Sequence, residues 1–308
     1  MRLLLYRLDG NTAPWARDFK AALPELEVVE WREGAVPPCD YALVWAPPAA
    51  LLAQLHAVKA IFVAGAGVDA LLKFGEQLPD VPIVRLGDAG MGVQMAEYVL
   101  HATLRYFRRF DDYDTQARAG IWSPLPLPDK REFAVGVMGM GELGSAVLDA
   151  FKGLGFPLRG WSRSARQIEG VACFAGPAQL DAFLAGTRVL VCMLPLTAET
   201  NNLLDRTNLE KLPRGAYLIN VARGALVAEP DLLALVKSGH IAGATLDVFR
   251  NEPLPSPHPF WGEPKISITP HISALTVRED SVRQIADQIM AHQAGGPLAH
   301  VVDRKRGY

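Results

Sequence analysis

The sequence predicts an α/β chain of two parallel-sheet domains, one of them interrupted in sequence by the other. Three observations predict it. Short apolar runs of strand length alternate with stretches of helical periodicity along most of the chain. A G-x-G-x-x-G, formed by Gly139, Gly141 and Gly144, stands between one such run and one such helix. The length, 308 residues with 50% apolar, gives two domains at about 150 residues each, and both can bury a core.

Composition narrows the partners. Charged residues make up 21% and the formal net charge is −2, so neither nucleic-acid binding nor an acidic partner is indicated, and a small-molecule ligand is expected. The opening MRLLLYRLDG is too short an apolar run for a signal peptide, and nothing elsewhere approaches the ~18 apolar residues of a membrane span. A cytoplasmic protein with no membrane partner is expected. Cys39, Cys173 and Cys192 are far apart with no C-x-x-C, so neither a disulfide framework nor a metal site is indicated, and the three thiols are expected buried and reduced.

Taken in order, the chain begins with a small α/β domain. Leu3 to Tyr6 reads as a strand, followed by a helix with Trp15, Phe19, Ala22 and Leu23 on one face. Tyr41 to Trp45 is a strand, Ala49 to Val58 a helix, Ala60 to Val63 a strand, Val68 to Phe74 a helix and Pro82 to Leu86 a strand. One loop is chemically suggestive. In Ala64-Gly65-Ala66-Gly67-Val68 a strand ends and successive N–H groups can line up before a helix, a nest that suits a carboxylate. Glycines serving a tight turn are the plainer reading.

Met91 to Phe110 is a long helical pattern, with Met95, Tyr98, Val99, Ala102 and Tyr106 on its apolar face, and reads as the first crossing between domains. Near Trp122 the chain becomes Pro124-Leu125-Pro126-Leu127-Pro128, which no helix can continue.

Phe133 to Met138 is then a strand leading into the glycines, and Leu143, Ala146, Val147, Ala150, Phe151 and Leu154 recur at helical spacing until Gly155. Phe156 to Trp161 is the second strand. This order is that of a dinucleotide-binding βαβ unit: Gly139 permits the turn, Gly141 lets a pyrophosphate approach and Gly144 lets helix pack on strand. The loop Gly139-Met140-Gly141-Glu142-Leu143-Gly144 is the phosphate cradle. An Asp or Glu about 20 residues past the glycines would hold the ribose 2′-hydroxyl of NAD. Here the second strand ends in Trp161-Ser162-Arg163-Ser164, and no acidic residue lies between Asp149 and Glu169. Arg163 and Arg166 offer charge and Ser162 and Ser164 offer hydroxyls, which suits a 2′-phosphate, so NADP(H) is favoured over NAD(H). Arg163 as an ordinary solvated arginine is the competing reading.

Four more strand-like runs follow, Arg188 to Met193, Ala216 to Val221, Ala242 to Val248 and Ile266 to Thr269. They end respectively in Leu194-Pro195-Leu196-Thr197, in Ala222-Arg223-Gly224, at Asp247 with Glu252 just beyond, and at Pro270-His271. Ligands of open parallel sheets bind beyond the carboxyl ends of the strands. An arginine, a glutamate and a histidine are thus delivered to one edge. The last helical pattern, Thr276 to Ala291, crosses back. The expected organisation is a substrate domain of residues 1–98 and 277–308 around a nucleotide domain of 99–276.

In the phrases VAGAGVD, GMGELG, WSRS, VARG, NEPLP and PHISA, the chain resembles the D-isomer-specific 2-hydroxyacid dehydrogenases over its whole length, and WSRS is similar to that of the NADPH-preferring members that reduce glyoxylate and hydroxypyruvate. The resemblance implies two Rossmann-like domains, a doubly wound nucleotide-binding domain inserted into a flavodoxin-like substrate domain. It implies Arg223, Glu252 and His271 as catalytic residues, a carboxylate-binding loop at Gly65, Ala66, Gly67 and Val68, and Trp45 in the substrate pocket. It also implies cofactor contacts from Leu194, Pro195, Thr200, Ala222 and Asp247, and a homodimer formed through the nucleotide domain and the arm near Trp122.

The chemistry agrees with those roles. Reduction of a 2-oxo acid needs a hydride at the carbonyl carbon, a proton at the oxygen and a fixed carboxylate. His271 as imidazolium can give the proton, with Glu252 orienting the ring, and the Arg223 fork can engage carboxylate and carbonyl together. Two other readings stand beside it: an NAD-linked or bulkier-substrate dehydrogenase of the same family, and a nucleotide-sensing binding protein that keeps the fold without turnover.

Overall fold

The computed structural model describes Met1–Tyr308, and every strand in it pairs in parallel. Two compact units are present, Met1–Met91 with Thr276–Tyr308, and Gly92–Leu275. No helix is long and apolar enough to cross a membrane.

The first unit contains β1 (Arg2–Arg7), α1 (Ala13–Ala22), β2 (Glu27–Glu30), β3 (Tyr41–Trp45), α2 (Ala49–Leu52), β4 (Ala60–Val63), α3 (Asp69–Leu72) and β5 (Ile83–Val84). Its sheet has the order β2-β1-β3-β4-β5, the flavodoxin-like arrangement. Leu3, Leu4 and Leu5 are all fully buried, as a parallel strand covered on both faces requires. The C-terminal helix Arg278–Gln293 belongs to this unit. Arg278 Nε donates to Asp18 Oδ2 at 2.5 Å, and the Tyr41 hydroxyl meets His292 Nδ1 at 2.8 Å.

Two helices here are shorter than their periodicity predicts. After Leu52 the chain continues in i→i+3 bonds, Gln54 N–H to Leu51 O and Leu55 N–H to Leu52 O, which keep Leu55 and Val58 in the core without an α-helix. Around α3 the same occurs, with Leu71 bonding Val68 and Phe74 bonding Leu71. The edge strand β2 has only Val28 and Val29 between two glutamates, too little apolar pattern to read as a strand.

The second unit takes up α4 (Met91–Phe107) and continues through α5 (Phe110–Arg118), β6 (Val135–Met138), α6 (Glu142–Phe151), β7 (Leu158–Ser162), β8 (Val171–Ala175), α7 (Leu180–Ala185), β9 (Val189–Cys192), α8 (Arg206–Leu209), β10 (Ala216–Asn220), α9 (Glu229–Lys237), β11 (Ile241–Leu246) and β12 (Ile266–Ile268); the C-terminal helix is α10. The single helix expected from Met91 to Phe110 breaks at Arg109, whose φ of 61° is left-handed.

The sheet order β12-β11-β10-β9-β6-β7-β8 is doubly wound, and the side chains of β9 show why. Val189 and Val191 join the cluster packed by Val99, Val147, Leu148 and Phe151, while Leu190 and Cys192 join that of Phe183, Leu232, Leu235 and Val236 on the other face. Alternate residues therefore serve opposite helical layers. Of the three thiols only Cys192 is buried, and burial pushes it up to about 12. Cys39 and Cys173 are half-buried, a correction to the expectation, and none is bridged.

Register positions the site. Met138 pairs with both Trp161 and Cys192, Cys192 with Asn220, Asn220 with Leu246 and Leu246 with Ile268. The strands end level, so the loops that follow leave from one edge of the sheet.

Candidate active site

At the switch point between β6 and β9, Gly139 has φ +106°, and a Cβ on it would lie 2.6 Å from the Met193 carbonyl oxygen. A Cβ on Gly144 would lie 1.9 Å from Gly139 O. These two glycines are demanded by the protein itself. Gly141 is not, because a Cβ there would meet nothing within 4 Å. It caps α6 from an extended conformation, and the open space above it is where a pyrophosphate would approach the backbone. Glu142 is exposed and Leu143 half-buried, whereas the Met140 side chain is buried against Gly160. Met140 can offer a cofactor only its backbone.

The same holds for Trp161. Its ring is buried, with Nε1 donating to Gly176 O at 3.0 Å, and its carbonyl accepts from Gly139 N–H at 2.8 Å. Beyond it, Ser162 Oγ donates to Ser164 O at 2.7 Å, and Arg163, Ser164 and Arg166 are exposed. The donors here are basic and hydroxylic, a set that fits a phosphate on the adenosine ribose better than a free 2′-hydroxyl. After β9, the Thr200 hydroxyl donates to Pro195 O at 2.7 Å and closes the loop, with Leu194 buried beneath it.

Asn220, the last residue of β10 and 1% exposed, sets the next loop. Its Nδ2 donates to Arg223 O at 3.0 Å and its Oδ1 accepts from Ala222 N–H at 3.2 Å. Arg223 Nη1 donates to Ala222 O at 2.6 Å, which anchors one edge of the guanidinium; Ala222 itself is buried. Nothing in the sequence singled out Asn220 except a polar residue closing an otherwise apolar strand.

Asp247 follows β11 and is fully buried. Its carboxylate accepts from Ile272 N–H at 2.8 Å, Ser273 N–H at 2.7 Å and the Thr269 hydroxyl at 2.6 Å. Three donors satisfy a group that would be costly to bury unpaired. Since the single Thr269 proton goes to Asp247, the Tyr98 hydroxyl, 2.5 Å away, is the donor to Thr269. Burial pushes that phenol up to about 12, so it keeps its proton. The Asp247 carboxylate is thus spent on the loop that carries His271.

His271 adopts φ +56°, a left-handed conformation that costs a non-glycine residue roughly 1–2 kcal/mol, held by its own N–H to Asp247 O at 2.9 Å. Its Nδ1 meets Glu252 Oε2 at 2.7 Å, and Glu252 Oε1 accepts from Phe249 N–H at 2.9 Å. Both side chains keep access to solvent, at 47% and 36% exposure. With Nδ1 committed to the carboxylate, Nε2 is the nitrogen that can exchange a proton with a substrate. A histidine oriented by an acid, an arginine on a fixed loop and a glycine cradle on one sheet edge suit hydride and proton transfer to a carbonyl.

In the first unit, Trp45 ends β3 at 37% exposure, and its ring lies over Gly65, where a Cβ would come within 2.5 Å of the indole. It is therefore not a core residue. Val68 is buried, Ala66 and Gly67 half-buried, and none of the N–H groups from Gly65 to Val68 donates to an acceptor in the protein. α3 is a single turn, so those amides, rather than a helix dipole, are what the loop offers an anion.

Fold and site define a D-isomer specific 2-hydroxyacid dehydrogenase: the model of that family's NAD binding domain matches residues 100–273, and the chain belongs to the family. The expectation drawn from its motifs is borne out, as is the two-domain Rossmann-type fold. The chain is 45% identical over 313 residues, covering 100% of both, to the glyoxylate/hydroxypyruvate reductase A of Klebsiella pneumoniae (strain 342). Among solved structures it is similar to a D-isomer specific 2-hydroxyacid dehydrogenase from Xanthobacter autotrophicus Py2 in complex with NADPH and MES, with TM-score 0.95, 41% identity and coverage of 100% of this chain and 99% of that one. It is also similar to the NADPH-dependent glyoxylate/hydroxypyruvate reductase from Sinorhizobium meliloti in complex with NADP and sulfate, with TM-score 0.93, 34% identity and the same coverage.

Proposed function

We propose that this protein reduces small 2-oxo acids with NADPH, glyoxylate to glycolate and hydroxypyruvate to D-glycerate. The observation that carries the reading is the His271–Glu252 pair at 2.7 Å, set on the same sheet edge as Arg223 and the Gly139–Gly144 cradle. When bound, the dihydronicotinamide supplies a hydride to the carbonyl carbon. The residues proposed to hold the coenzyme are the backbone from Gly139 to Gly144, Trp161 through its backbone, Ser162, Arg163 and Ser164 at the adenosine end, and Leu194, Pro195, Thr200 and Ala222 beyond the neighbouring strands. Asp247 acts by holding the loop after β12.

The proton comes from His271. As an imidazolium it releases the Nε2 proton to the carbonyl oxygen and becomes the neutral tautomer protonated at Nδ1, the form in which Nδ1–H can still donate to Glu252. Glu252 holds the ring through its 2.7 Å contact with Nδ1. Arg223 engages the carbonyl and carboxylate oxygens with a planar fork, and the amides of Gly65, Ala66, Gly67 and Val68 take the carboxylate. Amides recognise a carboxylate whatever follows it, whereas the Trp45 indole limits the substituent on the carbonyl carbon, which favours glyoxylate and hydroxypyruvate. The chain works as a homodimer in this reading, and the arm supports it: Trp122 is 98% exposed and Ile121 55%, an apolar surface of the kind that a second copy covers. Sedimentation equilibrium is expected to give twice the chain's 33.5 kDa, and a monomer at micromolar concentration would contradict it.

The substrate reading is tested by Trp45→Ala. Removing the indole is expected to raise the phenylpyruvate-to-glyoxylate ratio of kcat/KM by tenfold or more, on the order of what one or two pocket methylenes are worth. Because the residue is over a third exposed, the melting temperature is expected to fall by only a few degrees. An unchanged ratio together with a large fall in Tm would remove Trp45 from the pocket.

A further inference from the structure

The Phe249–Arg250 peptide is a junction. Phe249 N–H donates to Glu252 Oε1 at 2.9 Å, and the next N–H, of Arg250, donates to Glu229 Oε1 at 3.1 Å. From the other side the residue after Arg223 presses on it, since a Cβ on Gly224 would lie 1.9 Å from Phe249 C and 2.3 Å from Arg250 N. The segment bearing Arg223 and the segment bearing Glu252 therefore meet at one peptide, with no slack between them.

Two side chains clamp that junction. Glu229, at the start of α9, places its second oxygen 3.4 Å from His258 Nε2, with both side chains under a fifth exposed. His258 Nδ1 accepts from Phe260 N–H at 3.4 Å, which puts the proton of the neutral ring on Nε2, toward Glu229. The Arg250 guanidinium reaches Asn202 Oδ1 and the carbonyls of Ala225, at 3.2 Å, and Val227, at 3.4 Å. It thus joins three stretches of chain: the one just past Thr200, the one just past Arg223 and the one leading to Glu252.

We infer that Glu229 and Arg250 are positioning residues for the reaction, fixing where Glu252, and through it His271, stands relative to Arg223. The inference rests on the catalytic roles proposed above. Both residues have protein groups as partners, Glu229 holding Arg250 N–H and His258, and Arg250 holding Asn202, Ala225 and Val227. Their contribution is geometric, and a displacement of about 1 Å in a catalytic group costs on the order of 100-fold in rate.

The experiment is steady-state reduction of glyoxylate by NADPH in the full chain carrying Glu229→Ala, Arg250→Met, Glu229→Gln, His271→Ala, Glu252→Gln and the double variant Glu229→Ala/Glu252→Gln, with NADPH affinity read by quenching of tryptophan fluorescence. Glu229→Ala and Arg250→Met are expected to lower kcat about tenfold or more, with NADPH affinity within about twofold. Glu229→Gln keeps an acceptor for the Arg250 N–H and is expected to recover most of the loss. In the Glu252→Gln background the Glu229→Ala effect is expected to shrink below threefold, because the clamp acts through Glu252. If Glu229→Ala does not fold, Arg250→Met carries the same kcat test. Full kcat in both clamp variants, or additive losses in the double variant, would overturn the inference while leaving the proposed function intact. Full turnover in His271→Ala would instead overturn the catalytic assignment, and the inference with it.

Discussion

His271→Ala is expected to lower kcat for 2-oxo acid reduction by about 10² to 10⁴-fold, the usual worth of a positioned general acid, with NADPH affinity within about twofold. The split follows from the structure. Glu252 sits on the loop after β11 and His271 on the loop after β12, and the glycine cradle follows β6, so removing an imidazole leaves the cradle untouched. Stability should change little, because the side chain is 47% exposed and the backbone of its loop is held by the Asp247 carboxylate rather than by the ring. Alanine also keeps the left-handed conformation at position 271 no easier than histidine does, so a Tm shift of a few degrees is expected. Single-turnover measurement distinguishes the step, and a loss below tenfold would mean that the proton comes from elsewhere.

Arg163→Asp is expected to collapse or invert the preference for NADPH. A charge-assisted hydrogen bond to a phosphate is worth about 1.5–3 kcal/mol, or roughly 10 to 150-fold, and an aspartate there adds repulsion to the phosphate while restoring the acceptor that a ribose 2′-hydroxyl prefers. The ratio of kcat/KM for NADPH over NADH should therefore fall by on the order of 100-fold. Arg163 is exposed, so folding should tolerate the change. A ratio that stays within threefold of the parent's would show that Arg163 does not read the 2′-phosphate.

How much was legible in advance follows from the range of each interaction. The cradle could be read because its constraint is local: Gly144 is excluded from any other identity by Gly139 O, five residues back. Arg223, Glu252 and His271 could be read because parallel strands of matched register deliver their ends to one edge. The groups that hold them could not. Tyr98 reads as one apolar position of a helix, yet its hydroxyl bonds Thr269, 171 residues away. The resemblance implies a coenzyme contact for Asp247, and nothing local announces that its carboxylate also accepts from Thr269, Ile272 and Ser273 in the loop after β12. Glu229, Arg250 and His258 carry no local signal, since Glu229 meets Arg250 and His258, and Arg250 meets Asn202, only in the folded chain; Asn220 bonds residues two and three further on, and its one signal is a polar residue closing an apolar strand. The edge strands β2 and β8 have no fully buried residue and no alternating burial, so neither carries the pattern by which a strand is read.

Initial rates with NADPH and with NADH over glyoxylate, hydroxypyruvate, pyruvate and phenylpyruvate, with chiral analysis of the product from hydroxypyruvate, decide whether the proposed reaction is the one catalysed. The expected result is kcat/KM highest for glyoxylate and hydroxypyruvate with NADPH, clearly lower with NADH, and D-glycerate as the product. Equal efficiency with the two coenzymes, or a strong preference for phenylpyruvate, would contradict the account.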